Sequence, residues 1–511
     1  MSDKGADMNQ LYEQIRDKRI VLWGVGIFQR DLENLYSFPR LLYYVEDSLE
    51  EKNQINVSRN QIFSSKKLET EIRKDLVVII CSEVPDEAIA SLKSMGYGKE
   101  YYVLGKELFF DYPLYERLCG RDTYIWGTGG SYYYKEVEIR KYLPDLKGFI
   151  ETEKQKETFQ GRKVYSMEEA KKQCSHGFIV VASIYYKEIY EELTQMGFRP
   201  GKDFLHLETL VTLGNLSTGI YVDYQLEDRS REKEDLLIVL AGYKEFVWES
   251  VFERLYSFAP KTMDVCIVTS GMIKDHLRDL CKKNQWSYLS TERNNVSLAI
   301  NLAIWLHPKA KYIYKMDEDI FVTKKVFETL KFTYEEVEKK ERHSVGFVSP
   351  LIPVNGYGYV RLLETFDCVD LWEKQFGELK YSDCFYHHRS IWKDPKAACF
   401  MWGKDNPKME SLDWMEEFLQ KKDFQYSVCP IRYSIGFILF HRDNWIKMET
   451  FPVLEYRNMG ADEESLCQFC MMQGRAMIIA ENAVVGHLAY GRQNKEMEQY
   501  YYEHRERFLL P

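Results

Sequence analysis

Three common features are scarce or absent in this sequence of 511 residues: long apolar runs, an excess of basic charge and a spaced set of cysteines. No apolar run approaches the roughly 18 residues that a transmembrane helix needs. The net charge of −10 and the dispersed Lys and Arg side chains exclude a basic footprint for nucleic acid. The eleven cysteines are odd in number and scattered, which favours reduced thiols over a disulfide framework.

A signal-peptide pattern is also missing, because the polar start at residues 1–5 has no apolar core. We therefore expect a cytoplasmic protein without a transmembrane segment or a nucleic-acid partner, and peripheral association with a membrane stays open. The single Cys-x-x-Cys pair, Cys467 and Cys470, has no second pair to complete a zinc site. Its surroundings are typical of an amphipathic helix, which favours a structural role.

An internal repeat organises residues 18–208. The segments 19–26 and 123–129 each place an apolar strand before a Gly-x-Gly turn, and later strands recur in the same order. Short apolar strands that alternate with helices suit a parallel sheet. The repeat therefore predicts two Rossmann-like modules, at residues 1–117 and 118–225.

The two glycine turns match a dinucleotide-binding fingerprint only in part. An acidic residue follows each turn where a ribose contact would lie, Glu46 or Asp47 in the first module and Glu151 in the second. The third glycine is missing from both, which favours a turn required for packing and leaves cofactor binding as the alternative. The modules loosely resemble those attached to bacterial surface-polysaccharide enzymes. That resemblance implies a part in glycan assembly but identifies no catalytic residue.

A charged run at residues 226–235 precedes a new apolar strand and predicts a further domain at 226–511. Its strands again alternate with helices, so we expect a mainly parallel α/β sheet that binds ligands at the carboxyl ends of its strands. The segment 311–321 delivers Asp317 and Asp319 at such an end, on one face. Two carboxylates held side by side repel each other unless a cation lies between them, which predicts a site for Mg²⁺ or Mn²⁺.

Three segments in this order, 241–243, 293–301 and 316–320, resemble the nucleotide-sugar-binding half of GT-A fold glycosyltransferases, especially the family 2 type. The resemblance implies a nucleotide-diphosphate sugar as the donor and Asp317 and Asp319 as metal ligands. It also implies a set of residues around the donor, namely Ala241, Gly242, Tyr243, Arg293, Asn294, Asn301 and Glu318.

The segment 460–474 resembles the acidic pair that opens a helix in the same family. The resemblance implies that Glu463, with Asp462 beside it, takes the proton from the acceptor hydroxyl, which gives inversion at the anomeric carbon. The alternative is that both carboxylates only favour a helix N-terminus. A His after the last strand is a third metal ligand in many GT-A enzymes, which implies that role for His487.

Aromatic residues make up 15% of the chain and are frequent between residues 360 and 445, a region that the sequence predicts to be less regular. Sugar rings stack on aromatic surfaces, so Trp402 and Trp414 are the first candidates for an acceptor platform. Core packing is the alternative, because that is how most large aromatic side chains are used.

The combined pattern predicts a metal-dependent glycosyltransferase that moves a sugar to a hydroxyl of a glycan, lipid-linked or protein acceptor, in surface-polysaccharide or glycoconjugate assembly. Two other classes stay open. A nucleotide-sugar oxidoreductase or epimerase would place its chemistry in the repeated modules, which have an incomplete glycine signature and no Tyr-x-x-x-Lys pair in context. A noncatalytic glycan-binding scaffold would need no metal pair.

Overall fold

The computed structural model describes most of the chain, in the residue ranges 10–47, 61–82, 85–112, 114–143, 146–174, 176–217, 223–340, 342–383, 388–454 and 457–510. Phe385, Tyr386 and His387, which belong to the aromatic region, lie outside these ranges. Two compact units divide the chain, Met1–Tyr221 and Val222–Pro511.

The first unit begins with a five-stranded parallel sheet in the order β3-β2-β1-β4-β5. Its strands are β1 Arg19–Trp23, β2 Leu41–Val45, β3 Ile62–Phe63, β4 Leu76–Ile80 and β5 Tyr102–Leu104. The helices of this part are α1 Gln10–Ile15, α2 Ile27–Leu35, α3 Pro85–Ser94 and α4 Gly105–Phe110. The central strands β1 and β4 are almost wholly buried, as expected for a parallel sheet that is covered on both faces.

A six-stranded sheet follows in the same unit, in the order β11-β10-β6-β7-β9-β8, and only β8 is antiparallel to its neighbour. Its strands are β6 Thr123–Trp126, β7 Leu146–Glu151, β8 Thr158–Phe159, β9 Arg162–Ser166, β10 Phe178–Val181 and β11 Phe204–His206. Its helices are α5 Leu114–Leu118, α6 Gly130–Tyr134, α7 Glu136–Tyr142, α8 Met167–Gln173, α9 Tyr186–Gln195 and α10 Leu207–Ser217. The parallel strands of both sheets run in the same order, whereas their assignment as Rossmann-like modules stays a prediction.

The first glycine of each Gly-x-Gly turn is required by packing. Gly24 and Gly127 have φ angles of 102° and 117°, in the left-handed region that favours glycine. A Cβ on Gly24 would overlap the backbone of Ser82, and one on Gly127 would overlap the backbone oxygen of Ala182. Each turn therefore passes close to the end of the neighbouring strand, β4 or β10.

The acidic residues at the ends of β2 and β7 accept hydrogen bonds from the glycine turns. The Val25 N–H donates to Glu46 Oε2 at 3.2 Å. The hydroxyl of Thr128 donates to Glu151 Oε1, and the Gln155 N–H donates to Glu151 Oε2 at 3.1 Å. Both carboxylates thus satisfy backbone or side-chain donors close to them in the fold.

The second unit is built on a nine-stranded mixed sheet in the order β12-β15-β14-β13-β16-β20-β18-β21-β19, with a separate two-stranded sheet of β17 and β22. The strands are β12 Tyr224–Glu227, β13 Asp235–Leu240, β14 Met263–Ser270, β15 Ser287–Thr291, β16 Tyr312–Asp317, β17 Ile320–Phe321, β18 Ser344–Leu351, β19 Tyr426–Val428, β20 Phe437–His441, β21 Arg475–Val484 and β22 Gly486–His487. β13, β14, β15 and β16 are parallel, and β20 then runs antiparallel to β16.

The helices of the second unit are α11 Trp248–Phe258, α12 Asp275–Asn284, α13 Val296–Trp305, α14 Val326–Lys339, α15 Gly358–Thr365, α16 Val369–Phe376, α17 Arg389–Lys393, α18 Pro395–Met401, α19 Leu412–Gln420, α20 Arg442–Lys447, α21 Ala461–Met472 and α22 Asn494–Glu503. Cys467 and Cys470 are buried in α21, and burial raises the pKa of each thiol to about 12. Among the helices of the described ranges, none has the length and apolarity needed to cross a membrane.

Candidate active site

β16 ends at the edge of the nine-stranded sheet where both aspartates emerge. The strand is buried along residues 313–316 between β13 and β20. The Asp317 N–H donates to the carbonyl oxygen of Gly436 at 2.9 Å. Asp319 lies in the turn that leads to β17 and is only 3% exposed. The carboxyl end of a central strand therefore carries two acidic side chains, one of them buried.

The pairing of β17 with β22 brings His487 to the same edge. Ile320 lies opposite His487 in this antiparallel pair, and His487 Nε2 is 3.5 Å from Asp319 Oδ2. His487 Nδ1 is 2.6 Å from the carbonyl oxygen of Val354. Since a carbonyl only accepts, Nδ1 donates in that contact, and Nε2 is the ring nitrogen that faces the carboxylate.

Lys244, from the loop after β13, pairs with the buried aspartate. Its Nζ lies 2.5 Å from Asp319 Oδ2 and donates to the carbonyl oxygen of Ala489 at 3.2 Å. Burial by itself raises the pKa of Asp319, but Lys244 and His487 outweigh burial and lower the pKa below its usual value. Asp319 is therefore ionised and partly neutralised by groups from two other segments.

Lys315 makes the corresponding pair with the first aspartate. Lys315 and Asp317 are two residues apart on β16 and share a face, and Nζ lies 2.6 Å from Asp317 Oδ1. The ammonium also donates to the carbonyl oxygen of Ile435 at 2.8 Å and is nearly inaccessible. Desolvation raises the pKa of the Asp317 carboxyl, and Lys315 offsets part of that rise.

The acidic pair at the start of α21 belongs to the same charge cluster. Burial alone lowers the pKa of Lys315, yet Asp317, Asp462 and Glu463 together raise it above its usual value. Asp462 also raises the pKa of Asp317 through its charge, after the larger effect of burial. The cluster thus joins the end of β16 to the first turn of α21 around one buried ammonium.

Glu463 is held by an arginine from outside α21. Arg432 Nε donates to Glu463 Oε1 at 2.6 Å, and Arg432 Nη1 donates to Glu464 Oε1 at 2.9 Å. Burial raises the pKa of Glu463, and the Arg432 guanidinium offsets part of the rise. Asp462 instead accepts from the Gly460 N–H at 3.1 Å, at a left-handed residue that begins the helix. The pair therefore combines a buried helix N-terminal carboxylate, Asp462, with a partly buried one, Glu463, that is paired with Arg432.

Two side chains at this edge are of the kinds that bind divalent cations. Within the described ranges, no three His, Cys, Asp or Glu side chains are grouped closely enough to hold a metal ion by themselves. Asp319 and His487 supply a carboxylate and an imidazole nitrogen, whose other nitrogen is fixed by a backbone carbonyl as in many metal sites. Mg²⁺ and similar ions are commonly bound by one or two carboxylates plus substrate phosphates, so two protein ligands suffice.

Glu318 anchors the loop after β13. Gly242 N–H donates to Glu318 Oε2 at 2.8 Å, Tyr243 N–H donates to Oε1 at 3.0 Å, and the indole of Trp248 donates to Oε2 at 2.7 Å. Burial raises the pKa of Glu318, and these donors offset part of the rise. Both oxygens are used by the loop, so Glu318 positions the segment that carries Tyr243 and Lys244.

Four of the other residues predicted around the donor lie at the same edge. The Ala241 N–H donates to the carbonyl oxygen of Val268 at 2.9 Å. Tyr243 is 67% exposed, and its hydroxyl accepts from Asn294 Nδ2 at 3.2 Å. Arg293 Nη2 donates to the carbonyl oxygen of Leu454 at 3.2 Å. The ends of β13 and β15 therefore meet around an exposed tyrosine.

Asn301 does not reach this edge. It lies within α13 with no exposed surface, and its Nδ2 donates to the carbonyl oxygen of Phe451 at 2.8 Å. Its Oδ1 accepts from the Trp445 indole at 2.9 Å and from the Phe451 N–H at 3.0 Å. The amide joins α13 to the end of α20 and the segment after it.

The two tryptophans predicted as an acceptor platform are packed against other rings. Trp402 is 6% exposed, and its ring centroid lies 4.4 Å from that of Phe508. Its Nε1 donates to the carbonyl oxygen of His487 at 2.9 Å, which fixes β22. Trp414 stacks on Phe418 with centroids 5.7 Å apart. The burial and contacts of Trp402 match the core-packing alternative, whereas Trp414 is half-buried beside the exposed Phe418.

A cleft of about 530 Å³ opens beside Lys244. Its lining residues are Tyr243, Lys244, Glu245, Phe246, Asn494, Glu498 and Tyr502. The helix α22 therefore forms one wall, and the loop after β13 forms the other.

Sequence reasoning missed three cations of the site: Lys244, Lys315 and Arg432. Strand alternation could have found Lys315, because it precedes Asp317 by two residues. Lys244 directly follows the predicted loop, but nothing local marks it as a partner of Asp319. Arg432 carries no sequence signal for its contact with Glu463.

No family model and no curated protein matches the sequence. Two solved structures are similar in part. One is the mannosyltransferase PcManGT from Pyrobaculum calidifontis in complex with GDP-Man and Mn²⁺, with 14% identity, coverage of 57% of this chain and 65% of that chain, and a TM-score of 0.29. The other is GalNAc-T7 with UDP, GalNAc and Mn²⁺, with 12% identity, coverage of 65% and 61%, and a TM-score of 0.31. This chain spans less than two thirds of either structure, and similarity at this level assigns neither a fold nor an activity.

Proposed function

We propose that residues 226–511 form a GT-A-like domain that transfers a sugar from a nucleotide-diphosphate donor to an acceptor hydroxyl. The observation that carries the proposal is the convergence of Asp319 and His487 on one sheet edge. Lys315 extends that edge to Glu463 through an electrostatic cluster. A cation site and a partly buried carboxylate that can accept a proton are the two components that such a transfer needs.

The donor side of the site consists of the metal ligands and the loop after β13. Asp319 and His487 would hold Mn²⁺ or Mg²⁺, which when bound supplies positive charge to the diphosphate leaving group. Asp317 is the proposed companion ligand, and Lys315 balances its charge. The loop residues Ala241 and Gly242 shape the donor site, and three side chains border the nucleoside, namely Tyr243, Arg293 and Asn294.

Glu463 is the proposed general base. Its carboxylate takes the proton from the acceptor hydroxyl as that oxygen attacks the anomeric carbon, so the configuration is inverted. Burial raises the pKa of Glu463 and so makes the ionised form a stronger base. Arg432 positions the carboxylate, and Asp462 is the proposed second choice for the base.

The acceptor is proposed to be a glycan, lipid-linked or protein hydroxyl, and the assembly of a surface polysaccharide or glycoconjugate is the proposed setting.

The first unit is proposed to contain two Rossmann-like modules at residues 1–117 and 118–225. The engagement of Glu46 and Glu151 by the glycine turns supports a packing role for these turns. No catalytic residue is proposed there.

The test is release of nucleoside diphosphate from a panel of nucleotide sugars in the presence of Mn²⁺. The Asp319→Asn variant should lose about a hundredfold or more of the activity of the parent, because a buried ligand and its charge are removed. Addition of a chelator to the parent should have a similar effect.

The matched control is Glu151→Gln, which neutralises a carboxylate at the end of a strand in the first unit. It should keep the activity of the parent, whereas a nucleotide-sugar oxidoreductase or epimerase would lose turnover with this variant. Turnover that survives both Asp319→Asn and the chelator would contradict the proposed site.

A further inference from the structure

Lys244 joins the candidate metal site to the cleft. Its ammonium lies 2.5 Å from Asp319 Oδ2, and the same side chain lines the cavity of about 530 Å³ between the loop after β13 and α22. No other residue of the cleft lining is in a hydrogen bond or ion pair with either aspartate among the contacts of the described residues. Lys244 can therefore contact both Asp319 at the candidate metal site and a ligand in the cleft.

The contact of Lys244 competes with a metal ion for one oxygen. Asp319 Oδ2 faces both the Lys244 ammonium and, at 3.5 Å, His487 Nε2. A divalent cation bound by Oδ2 and Nε2 would meet the ammonium at the same buried oxygen. Like charges at such a distance repel strongly where water is excluded. The lysine contact therefore competes with a metal ion at Asp319 Oδ2.

We propose that Lys244 neutralises Asp319 only while the donor is absent, and that its ammonium moves to the donor's diphosphate when the divalent cation and the donor bind. This inference rests on the proposed function. Lys244 is then a positioning residue that exchanges one anionic partner for another. The consequence is that a divalent cation and a nucleoside diphosphate bind more tightly together than separately.

The surroundings of Lys244 permit this exchange. Its side chain is 17% exposed, faces the cleft and has one further acceptor, the carbonyl oxygen of Ala489. A lysine stem has four flexible carbons, so the ammonium can turn without movement of the backbone. Lys315 differs because its side chain is 5% exposed and its ammonium is held by Asp317 and by the carbonyl oxygen of Ile435, so we expect it to keep its place.

The first measurement is the affinity of the full chain for Mn²⁺ alone, by calorimetry or by electron paramagnetic resonance of free Mn²⁺. Lys244→Met should bind Mn²⁺ about tenfold more tightly than the parent, because the competing ammonium is gone. Lys244→Arg should restore the parent value. Lys274→Met removes an equal charge from a partly exposed lysine beside Glu245 and should also keep the parent value.

The second measurement is the change in Mn²⁺ affinity caused by UDP and, separately, by GDP. The parent and Lys244→Arg should gain affinity with at least one nucleotide, and Lys244→Met should gain several-fold less. Equal Mn²⁺ affinity of Lys244→Met and the parent would overturn the role of Lys244, even if sugar transfer and its loss in Asp319→Asn stand. Absence of Mn²⁺ binding in the parent and in Lys244→Met, with and without nucleotide, would overturn the proposed metal site and the exchange together.

Discussion

The two units use the carboxyl ends of their parallel strands differently. In the first unit, the turns after β1 and β6 close against the neighbouring strand, and Glu46 and Glu151 accept hydrogen bonds from nearby loop residues. In the second unit, Asp319 meets Lys244 and His487, which come from distant parts of the chain. The same edge of a parallel sheet therefore fixes the glycine turns in the first unit, where Glu151 also pairs with Lys156, and gathers several cations around two aspartates in the second.

This difference gives a physical criterion for the two kinds of edge. A carboxylate whose oxygens already accept hydrogen bonds from a nearby loop stabilises that loop. It has few acceptor sites left for a ligand. A buried carboxylate that is balanced by lysines can exchange those partners for another cation. The criterion depends on where the partners originate, which neither a Gly-x-Gly nor an Asp-x-Asp pattern reveals.

The largest expected effect tests the packing role in the first unit. Gly127→Ala should lower the free energy of unfolding of this unit by about 3 kcal/mol, because the methyl group overlaps the Ala182 carbonyl and φ is 117°. Donor turnover at temperatures below unfolding should be unchanged. Denaturant unfolding and nucleoside diphosphate release measure the two quantities.

Gly161→Ala measures the cost of the left-handed backbone conformation without a steric overlap of the new methyl group. Gly161 also has a positive φ, 75°, but a Cβ there would meet no atom within 4 Å. Its cost should be about 1 kcal/mol, from the left-handed conformation alone. Equal costs for the two variants would mean that the close approach to β10 does not require a glycine.

The next effect compares two asparagines that the sequence places in one donor site. Asn301→Ala should lower the free energy of unfolding by about 2 to 3 kcal/mol, because the Trp445 indole and the Phe451 N–H lose their buried acceptor. Asn294→Ala removes only an exposed contact with Tyr243 and should cost less than about 0.5 kcal/mol.

For nucleotide affinity, Asn294→Ala should have a larger effect than Asn301→Ala. Asn294→Ala should weaken the binding of UDP or GDP several-fold in the presence of Mn²⁺, since Tyr243 loses the partner that orients it. Asn301→Ala should leave that affinity unchanged in the folded protein. If only Asn301→Ala lost nucleotide affinity, Asn301 would belong to the nucleotide site and Asn294 would not.

The sequence predicts the parts of this fold that depend on local pattern. Apolar strands that alternate with helices indicate the parallel sheets, and the short spacing of Asp317 and Asp319 indicates a charged strand end. The region from residue 360 to 445 was expected to be less regular, but the structure has helices α15 to α19 there. These helices have five to nine residues, too few for a clear apolar period.

Pairings between distant segments could not be predicted from local pattern. The family resemblance groups His487 with the aspartates, but the local pattern does not, because its contact with Asp319 depends on the two-residue strands β17 and β22, which are too short to carry a signal. Asn301 looks like a binding residue in sequence because its hydrogen-bond partners at residues 445 and 451 are far along the chain. Trp402 likewise becomes a core residue only when Phe508 folds against it.

The smallest expected effect concerns the ionisation of Glu463 at the start of α21. Burial raises the pKa of Glu463 above the usual value of 4.5, and Arg432 opposes that rise. The rate of sugar transfer should therefore fall as pH drops through a pKa above 4.5, since only the ionised carboxylate accepts the proton. The same shift means that the charged carboxylate lowers the stability of the fold at neutral pH, a cost that disappears as pH falls below the folded pKa.

Arg432→Met should move the acid limb of kcat/KM to higher pH by about one unit, because the cation that favours the ionised carboxylate is lost. Arg457→Met removes a guanidinium that contacts Glu464 instead and should move the limb less. The measurement is the pH profile of transfer for the parent and both variants. It covers only the pH values, and the donor and Mn²⁺ concentrations, at which each protein stays folded. A limb that stays in place, or moves to lower pH, in Arg432→Met would mean that Glu463 is not the titrating base. The carboxylates of α21 would then resemble Glu46 and Glu151, which accept hydrogen bonds from the glycine turns.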